Sequence, residues 1–475
     1  MAITEKLICS LALGASVLLA QAPSGLVRLN VTALDSSSEP IEDLKASDFQ
    51  ISDQGKSQKI VFSRHNPTAP AAPLAPHEYS NRTSAEAPHS TVILFDLLNQ
   101  NTADRLDAWH KLGKSLQQLE SGESIYFYLL ALEGNLIPIH EIGSKAGDDK
   151  TWTQQVEKTF DKAMKAASHA RPAQMNDEEM ITKKTYVALE TLATQLAVFP
   201  GRRDIIWITN TMPNVWNVKT PCNGDWVDCA LYVPHLGVTL AAANVAVDPF
   251  SYTSSPNPNI TRDLEQMALL TGGWPYFGDD VRSVLKQVAR DAAHNYSIFY
   301  DPSAENWDSK WHKVRVTSER KGVKLRVKQR YYAFPDKRPD AAKQQPVLAA
   351  AFQSPTDDPG IGLRVTAVAD GKNMHLQIRI DPADLLLREE GGTSSGGVTF
   401  LIADMSAAGP IGDPMLSSFA VHLSSEQYTT AMKEGIPIAQ DHAINDSIQK
   451  LRVIVLDQGL NIAGSLTIPL AAAGH

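Results

Sequence analysis

Thr91-Val92-Ile93-Leu94-Phe95-Asp96 is an apolar run that ends on one acid, with Leu97-Leu98-Asn99-Gln100 behind it. A short continuous apolar run bounded by polar loop residues reads as a strand buried on both faces. In open α/β sheets, ligands bind just beyond the carboxyl ends of such strands, which puts Asp96 where a site belongs.

Outward from this strand, helical and extended patterns alternate. Leu106, Trp109, Leu112, Leu116 and Leu119 recur at helical spacing, and Ile125 to Leu130 forms the next apolar run. Ile181, Thr185, Ala188, Leu189, Leu192 and Leu196 mark a helix that Pro200-Gly201 stops, before the buried strand Asp204 to Thr209. Val238 to Ala243 reads as helix, Asn244 to Val247 as a short strand, and Leu264 to Leu270 as a helix ended by Gly272-Gly273. Val281, Val284, Leu285, Val288 and Ala292 give a last helix, followed by the strand Tyr296 to Tyr300. Repeated units of this kind predict an α/β fold with a doubly wound, mainly parallel sheet.

The flanks read as β. Val27, Leu29, Val31 and Ala33 alternate with polar residues, and Phe49 to Phe62 holds two strands around the turn at Asp53-Gln54-Gly55-Lys56. Prolines 67, 70, 73, 76 and 88 make residues 65–90 an extended Pro/Ala-rich linker. Val314 and Val316, then Val323, Leu325 and Val327, predict a hairpin around Arg320-Lys321-Gly322. From about Val347 the pattern is all-β, with clean alternation at 363–367 and 374–380, and fits a small antiparallel sandwich. The expected organisation is therefore a leader over 1–22, a small β module over 23–64, the linker, an α/β domain over 91–335, and a β-sandwich over 345–475.

Composition narrows the class. A net charge of −9 spread over 475 residues is too mild to imply a nucleic-acid partner. Leu7 to Ala20 is apolar, follows Lys6, and precedes an Ala20-Gln21-Ala22 cleavage pattern; this is a secretory signal peptide, too short to span a bilayer. No other segment is apolar enough to cross a membrane, so the mature chain is expected to be exported, to the periplasm or to the extracellular space or cell envelope. Beyond that peptide only Cys222 and Cys229 remain, and two close cysteines in an exported chain favour a disulfide. Closing so short a loop stabilises by roughly 2–3 kcal/mol.

Several phrases, in order, resemble a von Willebrand factor type A domain, and most closely the variant found in exported proteins of acidobacteria. They are Val92 to Asp96, Arg203 to Asn210, Ala243 to Asp248, Ala268 to Gly273 and Tyr296 to Pro302, with Lys313 to Val316 and the segment Gly322 to Tyr331 behind them. The phrase from Val31 through Asp48-Phe49 to Ile60 also matches, so the likeness covers roughly 25–335. The resemblance implies a metal-ion-dependent adhesion site built from Asp-x-Ser-x-Ser, a threonine and a second aspartate, all hard oxygen ligands suited to Mg²⁺ or Ca²⁺. Here Leu98 and Gln100 stand at the serine positions and Asn210 at the second aspartate. The threonine position falls at Thr182 or Lys183. The site is degenerate: Asp96, Asn99 and Asn210 are the residual polar set, any Mg²⁺ or Ca²⁺ binding is expected to be weak, and no other cofactor is implied. The competing reading makes Asp96 a helix cap or an acceptor of backbone N–H groups.

Catalysis finds little support. Gly113-Lys114-Ser115 imitates the end of a phosphate-binding loop but lies inside a helical pattern, and neither Gly-x-Ser-x-Gly nor His-Glu-x-x-His occurs. The stretch 310–330 carries nine Lys and Arg residues against Glu319 alone. It either engages an acidic surface or forms a solvated sheet face. The expected function is a non-enzymatic, adhesion-type protein-binding module. Its rivals are a structural scaffold of an envelope complex and a hydrolase with an unrecognised site. Without a metal, a protein partner needs apolar or aromatic anchors, and the loops beyond the strands offer Leu98, Met212 and Trp216.

Overall fold

The computed structural model describes residues 25–65, 74–82, 89–116, 125–143, 151–169, 178–211, 232–253, 258–278, 280–302, 307–333, 340–407 and 409–470. Met212, Trp216, Cys222, Cys229 and the leader lie outside the described residues.

Alternating side chains near the N-terminus give β1 (Val27–Leu34), β2 (Phe49–Asp53), β3 (Lys56–Gln58) and β4 (Ile60–His65). A short β5 (Glu78–Ser80) follows within the proline-rich stretch. The α/β part runs β6 (His89–Asp96), α1 (Thr102–Leu116), β7 (Ile125–Leu130), β8 (Leu136–His140), α2 (Thr151–His169) and α3 (Glu178–Leu196). It continues through β9 (Arg202–Ile208), α4 (Tyr232–Ala242), β10 (Val245–Ser251), α5 (Pro258–Thr271), β11 (Tyr276–Phe277) and α6 (Val281–Ala293). Next come β12 (Asn295–Tyr300), β13 (Trp311–Ser318), β14 (Lys324–Arg326), β15 (Arg330–Tyr332) and α7 (Asp340–Gln353). The C-terminal part holds β16 (Leu363–Asp370), β17 (Asn373–Ile380), β18 (Arg388–Glu390), β19 (Thr393–Ser406) and β20 (Gly409–Ser424). It closes with α8 (Ser425–Glu434), β21 (Ile436–Ala443), β22 (Lys450–Asp457) and β23 (Ile462–Pro469).

The architecture is mixed α/β. One six-stranded sheet has the order β11-β10-β9-β6-β7-β8, parallel except for the antiparallel pair β7–β8. Because side chains alternate across a strand, β6 sends Val92 and Leu94 to one face and Ile93 and Phe95 to the other. The first face packs on α3, α4 and α5 through Leu192, Leu236 and Met267. The second packs on α1, α2 and α6 through Leu112, Phe160 and Val284. Burial on both faces is why β6 reads as a continuous apolar run.

The strand Asn295–Tyr300, expected to close this sheet, belongs elsewhere. It pairs antiparallel with β1 and β4, in the sheet order β14-β1-β12-β4. A second sheet, β15-β13-β2-β3, packs against it around Leu29, Ile51, Tyr296 and Val314. Residues 23–64 therefore form their β module jointly with the segment 295–332. Tyr300 and Tyr331 donate to Asp53 Oδ2 at 3.0 and 2.7 Å, and His312 Nδ1 lies 2.9 Å from Asp53 Oδ1. That buried carboxylate gathers β2, β12, β13 and β15, a partner choice to which strand periodicity is blind. The expected hairpin over 314–327 is likewise split, since β14 pairs with β1 while β13 pairs with β2 and β15.

Two antiparallel sheets make the C-terminal part, β21-β17-β16-β5 and β18-β19-β22-β23 with β20 on β19. They share a core of Val365, Ile378, Phe400 and Val453. Two expectations need correction here. Residues 340–353 are helical, where the pattern from Val347 suggests β; Ala and Gln outnumber β-branched residues there. The linker supplies β5, because Tyr79 pairs with Val365 at an open sheet edge.

Near the amino ends of β9 and β10 lies a buried acid pair. Arg202 Nη2 contacts Asp204 Oδ1 at 2.8 Å, and Trp274 N donates to Asp248 Oδ1 at 2.7 Å. A Cβ on Gly273 would collide with the Val247 carbonyl, so only glycine allows this approach. Burial, then the Asp204 carboxylate, hold the Asp248 carboxyl well above its ordinary range, against the pull of Arg202. The native state thus keeps a proton that the unfolded chain gives up, so stability falls as pH rises above the ordinary carboxylate pKa of 3.8. Asp248→Asn presents a permanent N–H donor to Asp204 and should flatten the melting profile above the ordinary carboxylate pKa of 3.8. A steeper loss in the variant than in the parent would refute this.

Candidate functional site

Asp96 is the last residue of β6 and is fully buried at the carboxyl edge of the sheet. The chain turns back on it. Asn99 N donates to Asp96 Oδ1 at 3.0 Å, a local turn of the kind that Asp side chains template after a strand. Asn99 Nδ2 donates to Asp96 Oδ2 at 2.7 Å and to Thr185 Oγ1 of α3 at 2.9 Å. Trp207 on neighbouring β9 aims its indole N–H at the same Oδ2, 2.9 Å away. Its register opposite Leu94 and complete burial fix that direction.

The surrounding loop is closed by further bonds. Gln100 Nε2 donates to the Asp96 carbonyl at 2.6 Å and to the Ile208 carbonyl at 3.0 Å. Thr211 Oγ1 donates to the Asn99 carbonyl, and Thr209 Oγ1 to the Thr211 carbonyl at 2.7 Å. Asn210 faces away from Asp96 and accepts from Ser251 Oγ at 2.8 Å. Burial pushes the Asp96 carboxyl above the ordinary range, and the N–H donors of Asn99, Trp207 and the Leu98 backbone oppose that shift.

This arrangement does not fit a hard cation. Mg²⁺ and Ca²⁺ need convergent oxygen donors, whereas both Asp96 oxygens here accept N–H groups. An Asn99 amide oxygen turned toward Asp96 would face the carboxylate, so the nitrogen belongs there. An indole N–H cannot ligate. Of the residual set, Asp96 and Asn99 come together and Asn210 does not. Among the described residues no three His, Cys, Asp or Glu side chains gather as a metal site would require.

Leu98 also departs from expectation. It is 8% exposed and packs into the core with Val92, Leu94, Tyr186 and Trp207, so it cannot anchor a partner. Leu97 is buried on the opposite face of the sheet. With no metal to face, an apolar side chain at this position lowers its free energy by turning inward. The resemblance puts the threonine at Thr182 or Lys183; in the structure Thr185 accepts from Asn99. Periodicity places Trp207 only within a buried strand. The signal for Trp207 was its indole N–H, which needs an acceptor when buried.

No family model matches the sequence, and no curated protein matches it. Solved structures with partial similarity include a von Willebrand factor type A protein from Catenulispora acidiphila, at 11% identity and a TM-score of 0.27, covering 64% of this chain and 80% of that one. The manganese-loaded TRAP protein of Plasmodium vivax is matched at 12% identity and a TM-score of 0.29, over 53% of this chain and 94% of that one. Proximal thread matrix protein 1 of the mussel byssus is matched at 10% identity and a TM-score of 0.26, over 45% of this chain. This chain spans 47% of the mussel protein's length. Its structural neighbours thus include a von Willebrand factor type A protein, at a likeness too low to carry an argument by itself.

Proposed function

We propose that this chain is an exported, non-enzymatic protein-binding module, built on a doubly wound domain like von Willebrand factor type A, whose adhesion-type site works without a metal. One observation carries the reading: the acid at the site's position is satisfied by Asn99 and Trp207 rather than left open to a cation. What remains for recognition at this edge is apolar surface. Leu106 on α1 and Met180 in the first turn of α3 are each 47% exposed, on helices that start from the edge where Asp96 lies. Among the described residues no helix is long and apolar enough to cross a membrane, which is compatible with an exported chain. Recovery of the protein from its native host with Met1 intact would remove the export half of the proposal.

The test is capture of envelope proteins by the full mature chain with and without EDTA. Capture should survive the chelator, and calorimetry with Mg²⁺, Mn²⁺ and Ca²⁺ should show nothing tighter than roughly millimolar, the weak end for extracellular calcium modules. Leu106→Asp and Met180→Asp should each weaken a captured partner by about 1–2 kcal/mol with the melting temperature unchanged. Micromolar metal binding, or capture abolished by EDTA, would end the metal-free reading.

A further inference from the structure

The basic stretch 310–330 is not one uniform solvated face. Arg320 pairs with Asp43 at 2.5 Å, Arg326 with Asp291 at 2.6 Å, and Lys310 with Asp308 at 3.4 Å. Lys328 behaves differently. With Arg28 of β1 it lines a cleft of about 250 Å³, whose other walls include Val238 and Ala241 of α4, Leu270 of α5, and Trp307. Asn244 and Val245 also line it, which places the cleft at the amino ends of the parallel strands, opposite the edge that holds Asp96.

Among the described residues the cations here lack a matching anion. Arg28 donates to Ser297 Oγ at 3.3 Å and lies over the Phe299 ring, 5.7 Å from its centroid, while its Nε is buried without a partner. Nearby Arg203 donates to the carbonyls of Ala243 and Ala197 at 2.8 and 3.2 Å, again with no carboxylate. Asp358 is the one acid felt by Arg28, Arg203 and Arg64 together, and its Oδ1 already accepts Gly360 N at 2.8 Å. Arg64 has its own partner in Asp384 at 2.6 Å. Positive charge is therefore in surplus. Burial, and then Arg28, lower the Lys328 ammonium to about 8, and burial with Arg64 and Arg203 lowers Arg28 to about 10. A group held this way gains by meeting an anion, because the anion restores the charged form that burial disfavours. The cleft also has an open acceptor, since Asn30 gives its Nδ2 to Asn244 Oδ1 at 2.7 Å while its own Oδ1 is buried without a partner.

We infer that this cleft binds a small organic oxyanion, its carboxylate or phosphate head between Arg28 and Lys328 and its apolar body along Val238, Ala241 and Leu270. The size fits a ligand of one ring rather than a polymer, being below the range usual for drug-sized sites. The inference stands independently of what the opposite edge binds.

Phenyl phosphate is the probe. Calorimetry on the full mature chain should show saturable binding that sodium chloride at matched ionic strength does not reproduce. Lys328→Met and Arg28→Met should each weaken it about tenfold or more, the equivalent of one charge-assisted hydrogen bond. In the unmodified protein, saturating phenyl phosphate should slow acetylation of Lys328 by acetic anhydride, read by peptide mass spectrometry, and leave solvent-facing Lys310 untouched. That second measurement needs no variant to fold. Absence of saturable binding, parental affinity in both variants, or equal slowing at Lys310 and Lys328 would each overturn the inference.

Discussion

Asp96→Ala is expected to destabilise the α/β part by about 3–5 kcal/mol, because it orphans the buried donors Asn99 N and Trp207 Nε1, each costing about 1–3 kcal/mol when unsatisfied, and leaves Asn99 Nδ2 with Thr185 as its one acceptor of two. An adhesion site with an accessible metal ligand would respond differently: removing an open carboxylate there relieves charge and loses the ion, with little cost to the apo fold. Urea denaturation of the two proteins distinguishes these cases. Trp207→Phe, which deletes one donor and keeps most of the buried ring, should fall between parent and Asp96→Ala. The pH dependence has a defined sign. Burial raises the Asp96 carboxyl, so the parent loses stability as pH climbs above the ordinary value of 3.8, while the alanine variant lacks that slope. The gap between them should therefore narrow toward neutral pH. A variant as stable as the parent would mean that the closure around Asp96 contributes nothing to the fold.

The sequence made the location of Asp96 legible but not its chemistry. A continuous apolar run has one good explanation, a strand covered on both faces, and its carboxyl end is fixed by the acid that stops it. What Asp96 touches depends on register between β6 and β9 and on the rotation of α3. Thr182 and Thr185 lie three residues apart, about 60° around the helix and about 4.5 Å along it, so a modest turn or slide of α3 decides between them. Leu98 is a similar case. Read as a residue in a serine's place, it looked like an exposed anchor, whereas its energetics favour the core once the loop bends inward.

Partner choice among strands was the other hidden quantity. Tyr296, Ile298 and Tyr300 carry the same burial signal whichever sheet receives them, so periodicity could not assign β12 to β1 and β4. The buried acceptor Asp53 decides that assignment, since Tyr300 and Tyr331 need it for their hydroxyls. Likewise β5 is three residues among prolines, too short to register as a pattern, yet it covers a sheet edge that would otherwise expose unpaired backbone.

Arg452→Ala should be the most damaging single change in the C-terminal sandwich. Arg452 is 5% exposed on β22, and its guanidinium ties the end of α7 and the segment behind it to β23. Nε donates to the Ala351 carbonyl near the end of α7 at 3.0 Å, and Nη2 to the Thr356 carbonyl at 3.0 Å. Nη1 reaches Thr467 Oγ1 and Nη2 reaches Ser465 Oγ on β23, both at 3.0 Å. The carbonyls at a helix C-terminus carry partial negative charge, so a cation there is favourable beyond the hydrogen bonds themselves. Alanine would leave a cavity and several unsatisfied acceptors, for an expected loss of about 3–5 kcal/mol. Lysine is the informative second variant. It keeps the charge and much of the stem but cannot span a planar fork of four acceptors, so it should recover less than half of the loss. Because α7 packs on this sheet through Ala351 and Val347, the first event on heating either variant should be detachment of 340–353. Hydrogen exchange would show it as early labelling of that helix while the β19–β22 ladder stays protected. Simultaneous labelling of helix and ladder would mean that Arg452 holds the whole sandwich rather than this junction.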